Sequence, residues 1–333
     1  MAELSILIPA RSEMFLAKTV ENILDNIEGD TEIIVVADGC WPNPVIKDNP
    51  RIKMIHHTVP VGQRAATNDA AKLSRAKYIM KADAHCAFDK GFDVKMMSNI
   101  DYDWTAIPRM YNLYAFDWVC PDGHKRYQSP AGPCTECGKP TTMDVVWKPR
   151  LSRKTDFARF DKDLHFQYWN KGKTCNQCGK STSRKTIECE VCQGLEFTNY
   201  DSYERRPESK GDIADTMSHV GACWMMHRER YWELGGMDEA HGSWGQMGTE
   251  VSCKTWLSGG RQAVNKTTWF SHMFRTQGKD FGFPYPLPQG EVEIARERSR
   301  QLWLGNSWKG SVKPLSWLID KFAPVPEWHE EAA

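Results

Sequence analysis

The chain has 333 residues, a formal net charge of +0, 41% hydrophobic residues and 26% charged residues. This is the composition of an ordinary globular protein with enough chain for a substantial core. Zero net charge excludes a global field pulling the protein onto nucleic acid or an anionic membrane, so such a partner must be met by a local patch. No stretch approaches the ~18 apolar residues of a membrane helix.

In chain order, LSILIPA (4–10) is a short apolar run carrying Pro9 near its end, the pattern of a buried strand. No basic leader with a long apolar run precedes it, so a soluble, cytoplasmic protein is expected. Residues 13–28 place Phe15, Leu16, Val20, Ile23, Leu24 and Ile27 at helical spacing. EIIVVA (32–37) reads as a second buried strand ending at Asp38-Gly39, and IKMIH (52–56) as a third. Residues 63–76 read as a helix and KYIMKA (77–82) as the next strand. Strands alternating with helices predict an α/β fold with a mostly parallel sheet. Ligands of such sheets sit at the carboxyl ends of strands, where Asp38 and Asp83 fall.

From about 120 to 210 the apolar periodicity gives way to cysteine, glycine and basic residues. Eleven cysteines are present, six of them in three C-x-x-C pairs, a spacing that suits metal ligands better than disulfides. Cys175, Cys178, Cys189 and Cys192 form two knuckles of the kind that hold tetrahedral zinc. Cys120, His124, Cys134 and Cys137 make a second predicted zinc set. With four protein ligands each, both are expected to be structural, stabilising an insert too small to fold on apolar area alone. Between 148 and 210 there are fourteen Lys/Arg against nine Asp/Glu. Lys148, Arg150, Arg153, Lys154, Lys171, Lys173, Lys180, Arg184 and Lys185 are candidate phosphate contacts, with Phe166, Tyr168 and Trp169 as stacking platforms. A plain solvated zinc module is the alternative. Core character returns at His219, and residues 291–304 read as a late surface helix followed by a tail. The expected divisions are 1–117, an insert over 118–212, then 213–290 and 291–333.

KADAHCAF (81–88) places Asp83 and His85 two apart at a strand end, and His272 stands in WFSHMFR far along the chain. Capping by Asp83 and a satisfied surface His85 would be the plain reading of the first pair. One carboxylate with two imidazoles is also a plausible open three-ligand set for a divalent ion, which suits a nucleoside diphosphate.

Six ordered segments carry a resemblance: LSILIPARSE, EIIVVADGC, VGQRAATNDAAKLSRAKYIMKADAHCAF, HVGACWMMHRERYWELGGMDE, SWGQMGTEVSCKTWLSGG and SHMFRTQGKDFGFPY. The chain resembles GT-A glycosyltransferases of family 2, and more closely the polypeptide N-acetylgalactosaminyltransferases, over about 1–117 and 215–290. The resemblance implies a UDP-sugar donor and manganese or magnesium held by Asp83, His85 and His272. It implies a nucleotide site at Pro9, Ala10, Arg11, Asp38 and Arg64, with Gly221 and Ala222 near the donor sugar. Trp244, Glu250 and Arg275 are the implied catalytic candidates, and 278–285 the loop that closes on the donor. The family's W-G-G-E-N is W-G-Q-M-G here, so Met247 replaces an expected carboxylate. An inverting transfer needs a general base at the acceptor hydroxyl, so this departure favours retention, with Glu250 or Asp238 as alternative bases. The leading acceptor expectation is DNA carrying a hydroxymethylated pyrimidine, as in bacteriophage DNA modification. A glycan or protein hydroxyl, a nucleotide-sugar hydrolase and a DNA-binding protein with an inactive transferase fold stand as alternatives.

Overall fold

The structure is a computed structural model that describes residues 2–274 and 290–328. In chain order the elements begin with β1 (Leu4–Ala10), α1 (Leu16–Asn26), β2 (Thr31–Asp38), β3 (Ile52–His57), α2 (Gln63–Leu73), β4 (Tyr78–Ala82), β5 (Cys86–Phe88) and α3 (Phe92–Met97). The strands β6 (Trp104–Val119), β7 (Lys125–Tyr127), β8 (Thr142–Thr155), β9 (Ala158–Phe160), β10 (Phe166–Tyr168), β11 (Gly172–Cys175), β12 (Ser181–Thr182), β13 (Phe197–Tyr200), β14 (Ile213–Asp215) and β15 (Cys223–His227) follow. Then come α4 (Arg228–Glu233), α5 (Met247–Leu257), β16 (Arg261–His272), α6 (Glu291–Ser299) and α7 (Leu315–Lys321). They fall into two compact units, one of Met1–Ser98, Pro108–Lys154 and Thr268–Gln289, the other of Asn99–Ile107, Thr155–Thr267 and Gly290–Ala333.

In the first unit β3, β2, β1 and β4 lie side by side in that order, all parallel. Every residue of β1 is buried, as expected of a parallel strand covered on both faces. The register Ala10↔Ala37 and Leu7↔Lys81 brings the carboxyl ends of β1, β2 and β4 to one edge. Asp93 fixes the entry to β2, accepting from Gly29 N at 2.9 Å and Thr31 Oγ1 at 2.8 Å. At the other side β5 pairs antiparallel with the end of β16, His272 opposite Cys86 and Phe270 opposite Phe88. Phe15, Phe116 and Met273 form an apolar cluster here, flanked by Trp118 and Trp147. The strands β7 and β8 both pair with β6 and so extend the sheet rather than forming a separate insert.

In the second unit α5 is buried at every position. Its Trp256 and Leu257 join Phe160, Trp169, Tyr203, Trp303, Leu318 and Phe322 in one core. Two expectations change here. The segment 118–212 is not one insert, since its first cysteine group belongs to the first unit and its second to the other. Residues 305–328, expected as a tail, pack against this core. Arg206 donates to the carbonyls of Phe322 (2.8 Å), Ala323 (3.2 Å) and Pro324 (2.6 Å), and its guanidinium stacks on Trp169 and Tyr203. Arg159, wholly buried, donates to Pro326 O at 3.1 Å. Sequence periodicity missed this because the apolar anchors are single, widely spaced aromatics among Lys, Gly and Pro.

Phe322→Ala is expected to destabilise the second unit by about 3–5 kcal/mol, the usual cost of truncating a buried phenylalanine. Urea denaturation followed by tryptophan fluorescence measures it. A loss within error of zero would mean that the C-terminal segment does not belong to the core.

Candidate metal centre

Asp83 follows β4 and His85 precedes β5. The β5–β16 pairing carries His272 alongside, and Met273 N donates to His85 O at 3.2 Å to close the arrangement. His272 Nε2 lies 3.2 Å from Asp83 Oδ2 and 3.1 Å from His85 Nε2. All three donor atoms lie within 4.8 Å of one another. Two imidazole nitrogens face to face need a proton or a cation between them. Neighbouring ligands of an octahedral ion with bonds of about 2.1 Å stand about 3.0 Å apart, so this donor set fits a hard divalent cation.

The electrostatics suit that purpose. Burial pushes the Asp83 carboxyl up, but the Lys81 ammonium and the His272 and His85 imidazoles outweigh it and hold the group well below the usual carboxylate range. Burial pushes His272 down to about 4, with Asp83 opposing the shift and His85 adding to it. At neutral pH His272 is therefore the neutral imidazole that a metal requires.

The other predicted residues separate by environment. Pro9 and Ala10 end β1 in a buried position, and Arg11 beyond them is half-buried. Asp38 is buried, and its oxygens accept from Val61 N at 2.8 Å and Gly62 N at 2.9 Å, with His57 Nδ1 at 3.3 Å. Arg64 lies in the first turn of α2, 1% exposed. In the second unit Gly221 has φ +86°, and a Cβ there would meet Gly248 N at 2.8 Å; only glycine allows both the conformation and the close backbone approach. Ala222 is buried and Trp244 half-buried in the loop before α5. Arg275 and the run 278–285 lie outside the described residues.

Glu250 requires a correction. It is 0% exposed, and its Oε1 accepts from Lys254 Nζ at 2.8 Å and Asp238 N at 2.6 Å. Asp238 is itself held by Arg298 at 2.9 Å. Glu250 is thus a structural carboxylate inside the second unit, not a group free to deprotonate an acceptor. Trp169, at 2% exposure, is likewise core rather than a stacking platform.

Sequence reasoning missed Lys81, Gln63 and Glu13, which touch the metal-site residues. One signal was available, a lysine in the otherwise apolar strand YIMKA.

The cysteine groups have the geometry of ligand sets. Sulfur pairs Cys175–Cys192 and Cys178–Cys189 are each 3.5 Å apart, Cys137–Cys120 is 3.7 Å, and Cys134 Sγ lies 3.6 Å from His124 Nδ1. Tetrahedral zinc with bonds of about 2.3 Å to sulfur separates its ligands by about 3.8 Å, whereas a disulfide would bring two sulfurs to about 2.0 Å. Backbone N–H groups of Glu136 and Cys137 hold the Cys134 thiol down at about 6, and those of Cys192 and Val191 hold Cys189 at about 7. Such thiols are readily available as thiolates.

Residues 5–168 match the family described as Glycosyl transferase family 2. The chain carries a glycosyl transferase family 2 domain. Among curated relatives, polypeptide N-acetylgalactosaminyltransferase 10 of Mus musculus is 33% identical over 37% of this chain and 24% of its own length. Polypeptide N-acetylgalactosaminyltransferase 3 of Drosophila melanogaster is 26% identical over 29% of this chain and 14% of its own. The chain therefore spans about a quarter or less of the curated relatives it matches. Among solved structures, that of GalNAc-T7 with UDP, GalNAc and Mn2+ superposes with a TM-score of 0.61 at 15% identity, over 97% of this chain and 57% of that one. That likeness establishes the GT-A-type fold. Among the described residues no helix is long and apolar enough to cross a membrane.

Two measurements follow. Zinc content is expected at about two ions per chain by atomic emission, falling to about one in Cys178→Ser and in Cys137→Ser; unchanged content in either variant would remove that residue from a ligand set. His272, whose pKa is lowered from 6.5 to about 4, contributes stability that is complete above pH 6.5 and is lost as pH falls toward 4. Without added manganese, Tm should drop across that window, and His272→Gln should flatten part of the drop.

Proposed function

We propose that this protein transfers a sugar from a UDP-sugar to a hydroxyl acceptor in a reaction that depends on manganese or magnesium. The observation that carries the reading is the convergence of Asp83, His85 and His272 at the carboxyl edge of the parallel sheet of a family 2 domain. An ion held by those three residues supplies positive charge against a departing diphosphate. The similarity in fold to the structure of GalNAc-T7 with UDP, GalNAc and Mn2+ supports that donor and that ion. Asp38, at the neighbouring strand end, organises the loop before α2 through Val61 and Gly62, and in this reading that loop borders the nucleotide. The two cysteine groups hold structural zinc. Retention of the anomeric configuration is supported by Met247 in place of a carboxylate and by the burial of Glu250 under Lys254.

The acceptor in this reading is a hydroxymethylated pyrimidine in DNA. Support comes from β8. Lys148 and Arg153 are exposed, and Arg150 lies over the ring of Tyr127, itself 42% exposed, at 4.9 Å. Asp122 pairs with Lys139 at 2.5 Å, and Asp144 lies 3.9 Å from Lys125. Among the described residues no carboxylate pairs with Lys148, Arg150 or Arg153. This leaves a local cationic strand with an aromatic ring on a chain of zero net charge, the arrangement a phosphodiester backbone recruits. Lys173 and Arg184 are not part of it. Lys173 is spent on Thr186 O and the Phe197 ring, and Arg184 on Asp201.

The test incubates the protein with manganese, a panel of UDP-sugars and hydroxymethylcytosine duplex DNA, then weighs the digested nucleosides. A hexose or N-acetylhexosamine increment is expected, abolished in His272→Ala. The triple variant Lys148→Ala, Arg150→Ala, Arg153→Ala should lower transfer to DNA at least tenfold and reduce the salt slope of DNA binding by about three, with KM for the UDP-sugar unchanged. Unmodified DNA alongside a glycosylated glycan or peptide hydroxyl would overturn the acceptor and leave the transferase standing. Rapid UDP release with every acceptor absent would make the protein a hydrolase.

A further inference from the structure

Asp83 and His85 reach the metal centre already held from behind. Lys81, on β4, is 0% exposed, and its ammonium meets Asp83 Oδ1. Gln63 Nε2, from the first turn of α2, donates to the same oxygen at 3.1 Å. The other oxygen, Oδ2, faces His272 Nε2 at 3.2 Å. His85 divides in the same way. Its Nε2 turns to His272, while its Nδ1 lies 3.3 Å from Glu13 Oε2, on a carboxylate side chain only 9% exposed. Asp83 and His85 thus each offer one donor atom to the centre and have the other beside a charged side chain.

Building on the metal-dependent reading above, we propose that Lys81 and Glu13 are positioning residues that decide which donor atoms meet the cation. Lys81, with Gln63, reserves Oδ1, so Asp83 binds through Oδ2 alone. The Glu13 carboxylate, within ion-pair distance of Nδ1 though not hydrogen-bonded to it, favours the His85 tautomer that carries its proton on Nδ1 and so leaves the Nε2 lone pair for the cation, as outer-shell partners do in metal-bound histidines. Lys81 has a second consequence. Its ammonium balances the Asp83 carboxylate when no cation is bound, which spares the fold an uncompensated buried charge. The same ammonium repels an arriving dication. Affinity at this centre is therefore traded for a site that is preformed without its ion.

The test uses the intact, zinc-replete chain. Manganese binding is titrated by the loss of the free-ion electron paramagnetic resonance signal, and Tm is measured with and without manganese. Glu13→Ala is expected to weaken manganese binding 10–100-fold, the usual cost of removing an outer-shell partner. Glu13→Gln, which keeps an amide oxygen facing Nδ1, should recover part of the loss. Lys81→Met keeps the volume of the side chain and removes the charge. Its Tm should fall without manganese and be raised by manganese more than that of the wild type. A lysine with a merely structural role would lower Tm equally in both conditions, and that result overturns its part of the proposal. Manganese binding by Glu13→Ala as tight as wild type overturns the other part. If the wild type binds manganese no better than His272→Ala, the metal-dependent reading itself fails, and the proposal with it.

Discussion

The candidate site depends on one short antiparallel pairing, Cys86–Phe88 against Phe270–His272. His85 and His272 are 187 positions apart in the chain, yet their Nε2 atoms stand 3.1 Å apart. Because side chains alternate along a strand, a slip of one residue would turn His272 to the opposite face and leave Asp83 and His85 without their third partner. The pairing is secured by what surrounds it. Phe88 packs on Phe270 and Phe92, and Met273 closes the turn by donating to His85 O. Packing at the end of the sheet and chemistry at its edge are therefore set by the same residues.

Buried charge has two meanings in this chain, and the hydrogen bonds tell them apart. At Glu250, Oε1 is filled by a lysine and a backbone N–H, and the whole residue is sealed. It is paired and finished, a support for the loop before α5. At Asp83, Lys81 and Gln63 converge on one oxygen while the other faces the His272 imidazole. A carboxylate satisfied on one side and open on the other can still take a ligand. The distinction rests on which lone pairs are occupied, and residue type alone does not carry it.

The cysteine groups show how a small module holds together with little core. Around Cys175–Cys192 the large aliphatics Ile187, Val191 and Leu195 point outward, at 83%, 66% and 69% exposure. They cannot supply a hydrophobic interior, so the four converging sulfurs and the three-stranded sheet β12–β11–β13 must carry the module's order. The knuckle turns repeat, with Gly138 N donating to Cys134 O and Gly179 N to Cys175 O, each at 2.9 Å. Both glycines have positive φ, which lets the chain double back under its own sulfurs.

Much of this was legible in the residues themselves. The apolar runs at 4–10, 32–37 and 77–82 and the helical spacing at 13–28 are local signals, and they determined the alternating α/β half and the strand ends where Asp38 and Asp83 lie. The C-x-x-C spacing is equally local, because the ligands of a knuckle are sequence neighbours. What only the tertiary structure decided has long-range causes. The single aromatics Trp303 and Phe322 become core through Arg206 and Trp169, more than a hundred residues away for Phe322. Glu250 became structural because Lys254 and Asp238 close over it, and Lys81 came to stand behind Asp83 because a parallel strand buries both of its faces. Periodicity reports which face of an element is apolar. It does not report which distant atom will occupy a given lone pair, and at this site that occupancy separates a metal ligand from a buried support.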